Sequence, residues 1–165
     1  MKDKFPKSAQ QIKDQMEHWY LDFYRKSHEQ IALGNNQFIF YDQLQENIKN
    51  KINKNYILKE SELPVFTLKK VDGQFILVTT ERFMNEREEV DFRDFERHYG
   101  FHIKMDWSKP FGQRTNVKRQ GYFYDFTIIK KNGETITWKL PTGEPGFSFW
   151  NVTKKCKLIG RKYLK

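Results

Sequence analysis

The stretch YFYDFTIIKKNGETITWKLPTGEPGFSFWNVTKKCKLIGRKYLK, residues Tyr122–Lys165, decides the fold of this chain. Two β-rich runs flank Asn132-Gly133, and Asn-Gly between such runs is a strong signal for a hairpin with a type I′ turn. After a Pro- and Gly-rich break at residues 140–146, four apolar residues recur at helical spacing: Phe149, Val152, Cys156 and Ile159. The stretch therefore predicts an antiparallel hairpin followed by a C-terminal amphipathic helix.

A second hairpin is predicted earlier in the chain, where Asp72-Gly73 separates VFTLKKV from QFILVTTERFMN. Primed turns favour Asp-Gly as well as Asn-Gly, because a type I′ turn requires a positive φ at both central residues. The run from Phe75 to Val78 is apolar at every position, so neither of its faces suits solvent. We expect it to be a central strand that is covered on both sides.

Two helices are predicted before the first hairpin. Ser8 and Gln11 have the spacing of a capping box, and an apolar stripe follows: Ile12, Met16, Trp19, Tyr20, Phe23, Ser27 and Ile31. Gly34 is a suitable stop for this helix. A second amphipathic helix is expected over residues 38–54, where Phe40, Leu44, Ile48 and Ile52 share one face.

The polar segment between the two hairpins is predicted to be irregular. We expect a short strand near Val90, a turn of helix, and a strand at residues 101–105. The alternative is a short helix lined by Phe92, Phe95 and Tyr99. Residues 107–121 are expected to form a long connection, because Pro110, Gly112 and Gly121 interrupt regular structure. Connections of this length in a compact domain are often functional.

Length and composition are typical of one folded domain. The chain has 165 residues and 16% aromatic residues, which suffices for a core without disulfides. No apolar run approaches the ~20 residues that span a bilayer. The N-terminus shows no hydrophobic signal region, and the single cysteine cannot form an intramolecular disulfide. We therefore expect a cytoplasmic protein without a membrane span.

Positive charge is concentrated in the C-terminal part. The net charge is +9, and residues 101–165 contain fourteen Lys/Arg against four Asp/Glu. Such asymmetry favours an anionic partner, or it serves solubility alone. The candidate binding residues are basic and aromatic side chains of the long connection: Trp107, Lys109, Phe111, Arg114, Lys118 and Arg119. Aromatic rings stack on bases while cations neutralise phosphates, although a lipid headgroup or an acidic peptide suits the same residues.

An enzymatic alternative centres on His98 and His102, with Asp94 nearby. Histidines four residues apart share a helix face, as in metal-binding helices. On a strand the same pair would lie about 13 Å apart, too far for one metal ion. No third ligand stands at a recognised spacing, so we predict neither a metal site nor a cofactor. Cys156, on the apolar face of the last helix, is expected to be a core residue rather than a nucleophile.

Two segments of the chain resemble bacterial pleckstrin-homology-like domains. They are DGQFILVTTERFMN, residues 72–85, and FTIIKKNGETITWKLPTGEPGFSFWN, residues 126–151. The likeness covers residues 57–165. It implies a curved antiparallel sheet with one open end capped by the C-terminal helix, and a binding scaffold rather than an enzyme. It does not imply phosphoinositide binding, because Asp72 occupies the first hairpin loop, where no Lys/Arg motif matches.

The sequence thus predicts an α+β fold with two N-terminal helices, an antiparallel sheet of six or seven strands and a C-terminal helix. Residues 1–56 would form a helical segment, and residues 57–165 the sheet with its helix. Function is expected to be that of a non-catalytic interaction module whose basic C-terminal surface meets an anionic or protein partner. Binding of single-stranded nucleic acid or another polyanion is one alternative. A small metal-dependent enzyme using the His98/His102 region is the other. Oligomeric state stays open.

Overall fold

The computed structural model describes residues 4–25 and 37–165, and it confirms the α+β class. The helices within these ranges are α1 (Ala9–Tyr24), α2 (Glu46–Asn55), α3 (Glu144–Thr153) and α4 (Cys156–Lys162). The strands are β1 (Phe38–Phe40), β2 (Pro64–Lys69), β3 (Phe75–Thr79), β4 (Arg82–Met84), β5 (Glu89–Asp91), β6 (Phe95–Phe101), β7 (Phe123–Lys130) and β8 (Thr135–Pro141). Short 3₁₀ turns lie at Tyr41–Gln43 and Phe111–Gln113.

The strands form two antiparallel sheets rather than one. Strands β1 to β5 follow one another in the larger sheet and β6 to β8 in the smaller, and neither sheet closes into a barrel. The expected single sheet of six or seven strands is therefore wrong for the described residues. The sheets separate where the chain turns after β5: the Asp91 carboxylate accepts from the Arg93 backbone N–H at 2.8 Å, and Asp94 N–H donates to Asp91 O at 2.9 Å.

Both predicted hairpins are present, but their turns differ from the prediction. Gly133 has φ 87°, whereas Arg25 is the one described non-glycine residue with positive φ, so Asn132 does not adopt the type I′ conformation. Instead, Gly133 N–H donates to Lys130 O at 3.0 Å, and Lys130 N–H donates to Glu134 O at 2.9 Å. These bonds close a three-residue loop whose last residue is the glycine. Gly73 (φ 80°) closes the first hairpin in the same way.

Helix α1 begins as predicted. Gln11 N–H donates to Ser8 Oγ at 3.2 Å, and Ser8 N–H donates to Gln11 Oε1 at 2.9 Å, which completes the capping box. The helix ends at Tyr24, and Arg25 caps it with φ 51°. Three positions assigned to the longer helix and its stop lie outside the described residues: Ser27, Ile31 and Gly34.

The second predicted helix is partly wrong. Residues 38–40 form β1, which pairs with β2 so that Phe40 lies opposite Phe66. Helix α2 begins only at Glu46. Phe40 and Leu44 have the spacing of one helix face, yet they pack on opposite sides of the sheet in two different clusters. The four-residue spacing of Phe40 and Leu44 therefore comes from a strand followed by a turn, not from a helix.

The strand predicted at residues 101–105 is wrong, because β6 ends at Phe101, where that strand was expected to start. A hydrogen-bonded turn, in which Asp94 N–H donates to Asp91 O, stands where a turn of helix was expected. The alternative helix lined by Phe92, Phe95 and Tyr99 is wrong, because residues 95–101 form a strand and Tyr99 is 59% exposed while Phe92 and Phe95 are buried. One face of β6 is open to solvent, and this accounts for the polar composition of the segment.

The C-terminal helix is confirmed in position but is broken in two at residues 154–155. Its predicted apolar face holds across the break, since four side chains are buried: Phe149, Val152, Cys156 and Ile159. Gly160 allows α4 to approach the chain closely. A Cβ atom added there would lie 2.1 Å from the Phe92 carbonyl oxygen.

Two hydrophobic clusters lie on opposite faces of the larger sheet. The main cluster joins α1, α3 and α4 to both sheets, and the outer cluster lies beneath α2. Strand β3 contributes Ile76 and Val78 to the main cluster and Leu77 to the outer one. The predicted central strand covered on both faces is confirmed.

Candidate binding surface

The β6–β7 loop, residues 102–122, carries every candidate binding residue, and its C-terminal part is fixed to the fold. Val117 is buried in the main cluster. Gly143 N–H donates to Val117 O at 2.8 Å, and the Thr142 hydroxyl donates to Arg119 O. Lys118 and Arg119 are exposed on this anchored segment. Their positions are therefore set by buried neighbours rather than by their own side chains.

The tip of the loop is closed by short-range hydrogen bonds. Asp106 N–H donates to Arg114 O at 2.8 Å and thereby joins the two arms of the tip. The Asp106 carboxylate accepts from the Ser108 backbone N–H at 3.1 Å and from its hydroxyl at 2.5 Å. These hydrogen bonds lower the pKa of Asp106. The tip consequently has a defined shape and one firmly ionised carboxylate.

Arg114 contacts both aromatic residues of the tip. Its guanidinium carbon lies 4.9 Å from the centre of the Trp107 ring and 5.7 Å from that of Phe111. Arg114 Nε also donates to Lys109 O at 3.1 Å. Trp107 is 69% exposed and Phe111 is 84% exposed, so these cation–π contacts leave most of both side chains open to solvent.

Exposed apolar side chains gather along this part of the chain. Ten large hydrophobic side chains are exposed in the described ranges, and six of them lie between residues 99 and 122: Tyr99, Ile103, Met105, Trp107, Phe111 and Tyr122. Exposed apolar patches are typical of interaction sites, so this segment is a candidate for one. The sequence reasoning did not select Tyr99, Ile103 or Met105. Their alternation with polar residues is typical of a strand, and it did not indicate that no element in residues 4–25 and 37–165 covers them.

Positive charge in the β6–β7 loop is only weakly neutralised. Five cations, Lys104, Lys109, Arg114, Lys118 and Arg119, stand against one carboxylate, that of Asp106. Lys109 Nζ lies 3.9 Å from the Asp106 carboxylate. The other four make no ion pair with any residue in the ranges that the structure describes. The loop therefore presents unpaired cations beside exposed rings.

A polar cavity of about 170 Å³ opens beside the tip. Its lining includes Lys104, Lys109, Gln113, Arg114, Thr115 and Asn116, together with the Asp106 carboxylate. Cationic, amide and hydroxyl groups predominate in this lining. It suits a hydrated anionic group better than an apolar ligand.

The structure gives His98 and His102 separate partners. His98 is buried, and its Nε2 lies 2.7 Å from Thr153 Oγ1. Thr153 donates its hydroxyl proton to Phe149 O at 2.6 Å, so we assign Nε2–H of His98 as the donor to Thr153. His102 instead lies 2.6 Å from Thr127 Oγ1, close to the solvent face of the smaller sheet.

The His98 ring lies in an aromatic cage formed by Phe83, Phe95, Phe126 and Phe149. Its Nδ1 atom has no hydrogen-bond partner among the residues that the structure describes. Burial lowers the pKa of His98 to about 3, because the cage cannot solvate an imidazolium. A neutral imidazole in this position is a structural element of the core.

Residues 4–25 and 37–165 contain no group of three or more His, Cys, Asp or Glu side chains that could hold a metal ion. Cys156 is buried, and burial raises the pKa of its thiol well above the ordinary value. A thiol held in this form is a poor nucleophile. The expectation that Cys156 is a core residue is confirmed.

A buried ion pair outside the loop was also missed by sequence reasoning. Arg82 Nε lies 2.8 Å from Glu62 Oε1, and Nη2 lies 3.0 Å from Glu62 Oε2, so the contact is bidentate. Thr79 donates its hydroxyl proton to the same carboxylate at 2.5 Å. Burial raises the pKa of Glu62, but the hydrogen bonds from Arg82 and Thr79 outweigh it and hold the pKa below its ordinary value. This pair ties the segment before β2 to β4.

Comparison of the chain with protein-family models, curated proteins and solved structures gives no match in any of the three. None of the helices in the described ranges has the length and apolar character needed to cross a membrane.

Proposed function

We propose that this protein is a non-catalytic interaction module that presents the β6–β7 loop to an anionic partner, either a polyanion or an acidic protein surface. The observation that carries the proposal is the group formed by Arg114, Trp107 and Phe111, in which a guanidinium contacts two largely exposed rings. Aromatic and arginine side chains are enriched at binding hot spots. Trp107 and Phe111 are not covered by any other element of the described chain.

The loop is also suited to binding because its backbone is already ordered. The hydrogen bond from Asp106 to Arg114 and the burial of Val117 fix its tip and its C-terminal part. Ordering a mobile segment would cost free energy at the moment of binding, and a preformed loop avoids much of that cost. Its cations therefore act from defined positions.

The basic C-terminal tail is a weaker candidate than the loop. Lys157 Nζ lies 2.5 Å from Glu96 Oε1, and Lys155 lies over the Trp19 ring at 5.2 Å. Arg161 and Lys162 occupy the last turn of α4, where cations stabilise the helix end. Part of this charge thus has a role within the fold.

We further propose that the fold is pleckstrin-homology-like and that the protein acts in the cytoplasm. Strands β2 to β5 give four consecutive antiparallel strands, β6 to β8 give three more, and helices follow at the C-terminus. This order supports the resemblance of residues 57–165 to that family. Strand β1 and helices α1 and α2 would then be additions to the family core.

The test of the proposed function is the binding of heparin, used as a generic polyanion, at increasing salt concentrations. The Lys118→Ala/Arg119→Ala variant should elute earlier from a heparin column than the wild type, because two exposed cations are lost. The matched control is Lys51→Ala/Lys54→Ala, which removes two exposed cations from α2. Equal elution of the two variants would assign the effect to net charge alone and overturn a specific role for the loop.

A further inference from the structure

The exposed rings of the β6–β7 loop offer flat apolar platforms. Trp107 and Phe111 expose 69% and 84% of their surface, and Tyr99, in β6 just before the loop, exposes 59%. Bases stack on aromatic side chains regardless of sequence, because every base has a π-face. Arg114 contacts two of these rings and adds a planar cation to the same group.

Cationic and amide groups lie beside these platforms. The cavity of about 170 Å³ is lined by Lys104, Lys109 and Arg114, and Gln113 and Asn116 add amide groups. A backbone phosphate needs cations and hydrogen-bond donors of this kind. The Asp106 carboxylate is the one opposing charge, and Ser108 and Lys109 already engage it.

The geometry favours an unpaired strand over a duplex. Stacking requires bases whose faces are free, and in a duplex those faces are covered by neighbouring base pairs. The regular structure within the loop is a 3₁₀ turn of three residues, Phe111–Gln113, too short to act as a helix in a major groove. A polar cavity beside aromatic rings also fits a nucleotide better than it fits lipid chains.

We propose that the β6–β7 loop binds single-stranded nucleic acid. Bases stack on Trp107 and Phe111, and backbone phosphates meet Lys104, Lys109 and Arg114 beside the cavity. Lys118 and Arg119 extend the cationic track along the anchored segment. This inference rests on the proposed function, since it names the anionic partner of the same loop.

The test compares four probes against the full chain: fluorescently labelled oligothymidylate, a labelled duplex of equal length, heparin, and phosphatidylserine vesicles. Trp107→Ala and Phe111→Ala remove rings without altering charge. Phe5→Ala is the matched control, because Phe5 is 62% exposed and lies beside the end of α4, where its N–H donates to Lys162 O. Circular dichroism checks that each variant keeps its fold.

We expect oligothymidylate to bind more tightly than the duplex. Each ring substitution should weaken oligothymidylate binding by about tenfold, the order measured for loss of one base–aromatic stack. Heparin binding should stay unchanged in the same variants, and Phe5→Ala should behave as the wild type. For a single strand the salt dependence should have a slope of about −0.7 for each phosphate neutralised, so Lys118→Ala/Arg119→Ala should reduce the slope by roughly 1.4.

The other outcomes separate this inference from the proposed function. If heparin and oligothymidylate bind but the ring variants change neither, the inference is wrong and a general polyanion site remains. Binding of vesicles without binding of oligonucleotides would overturn it in favour of a membrane surface. Duplex binding equal to that of the single strand would also overturn it. If the protein binds none of the four probes at low salt, the inference is wrong. An acidic protein surface is then the one partner that the proposed function still allows.

Discussion

The Nε2 atom of His98 lies 2.7 Å from Thr153 Oγ1, a hydrogen bond that joins β6 to the last residue of α3. The folded protein holds this imidazole neutral, with a pKa lowered to about 3, whereas an unfolded chain would titrate near pH 6.5. The folded pKa is the lower of the two. The stability that depends on neutral His98 is therefore complete above pH 6.5 and is lost as the pH falls from 6.5 toward 3.

We expect the unfolding free energy to fall by about 2 kcal/mol between pH 7 and pH 5 from this residue alone. Urea unfolding at a series of pH values measures it. In His98→Gln that loss should be absent, while His18→Gln, at an exposed position, should keep it. An identical pH dependence in His98→Gln and the wild type would contradict the assignment.

Arg82→Ala should be strongly destabilising. The Glu62 carboxylate would lose its bidentate partner while remaining buried, and breaking such a pair costs about 3–5 kcal/mol. Chemical denaturation measures the change, and Arg87→Ala, at an exposed position three residues beyond β4, is the control. A loss of unfolding free energy no larger than that of Arg87→Ala would show that water solvates the Glu62 carboxylate in place of Arg82.

Gly160→Ala should destabilise the protein although alanine favours helices. In an exposed helix this change would stabilise by about 1 kcal/mol. Here the new Cβ would meet the Phe92 carbonyl oxygen at 2.1 Å, so α4 would have to move away from the chain. Thermal unfolding should show a lower Tm for Gly160→Ala than for Gly112→Ala, whose Cβ would have no neighbour within 4 Å. A Tm equal to or above that of the wild type would contradict the close approach.

Cys156 should resist thiol reagents until the protein unfolds. The thiol is fully buried and its pKa is raised, so a reagent cannot reach it and little of it is present as the reactive thiolate. Its reaction with a chromogenic disulfide should be slow in buffer and rapid in denaturant. Ser61→Cys adds a thiol at an exposed position and should react at once in buffer. Fast labelling of the native wild type would show that the cluster around Cys156 opens readily.

Local sequence signals predicted the parts of the fold that depend on neighbouring residues. The capping box of Ser8 and Gln11 and the positions of both hairpins follow from short-range chemistry, and they are present. The type I′ turn at Asn132 was wrong because Asn-Gly also suits a three-residue loop in which only the glycine has positive φ. The Asn-Gly dipeptide alone does not distinguish a two-residue type I′ turn from a three-residue loop.

Tertiary packing decided the elements that the sequence did not predict. Phe40 and Leu44 have helical spacing, but Phe40 packs against Tyr20 with ring centres 5.5 Å apart, while Leu44 lies in the outer cluster. No local pattern specifies that a sheet passes between them.

The sequence predicted which residues are candidates for binding, but not how they are arranged. Basic and aromatic residues identified the loop, but the contact of Arg114 with Trp107 and Phe111 depends on how the tip closes. Exposure of Ile103 and Met105 depends on where β6 ends. Pairing of Glu62 with Arg82 spans twenty residues and has no periodic signal.

Strand β3 separates two layers that can open at different free energies. Opening α2 exposes the side of β3 that carries Leu77, while the backbone of β3 stays paired with β2 and β4. Amide protons of α2 should therefore exchange with solvent through a partial opening, and those of β3 only through global unfolding. Because Ile76 and Val78 face the main cluster and Leu77 faces the outer one, truncating Leu77 should speed exchange in α2, whereas truncating Ile76 or Val78 should lower the protection that depends on global unfolding.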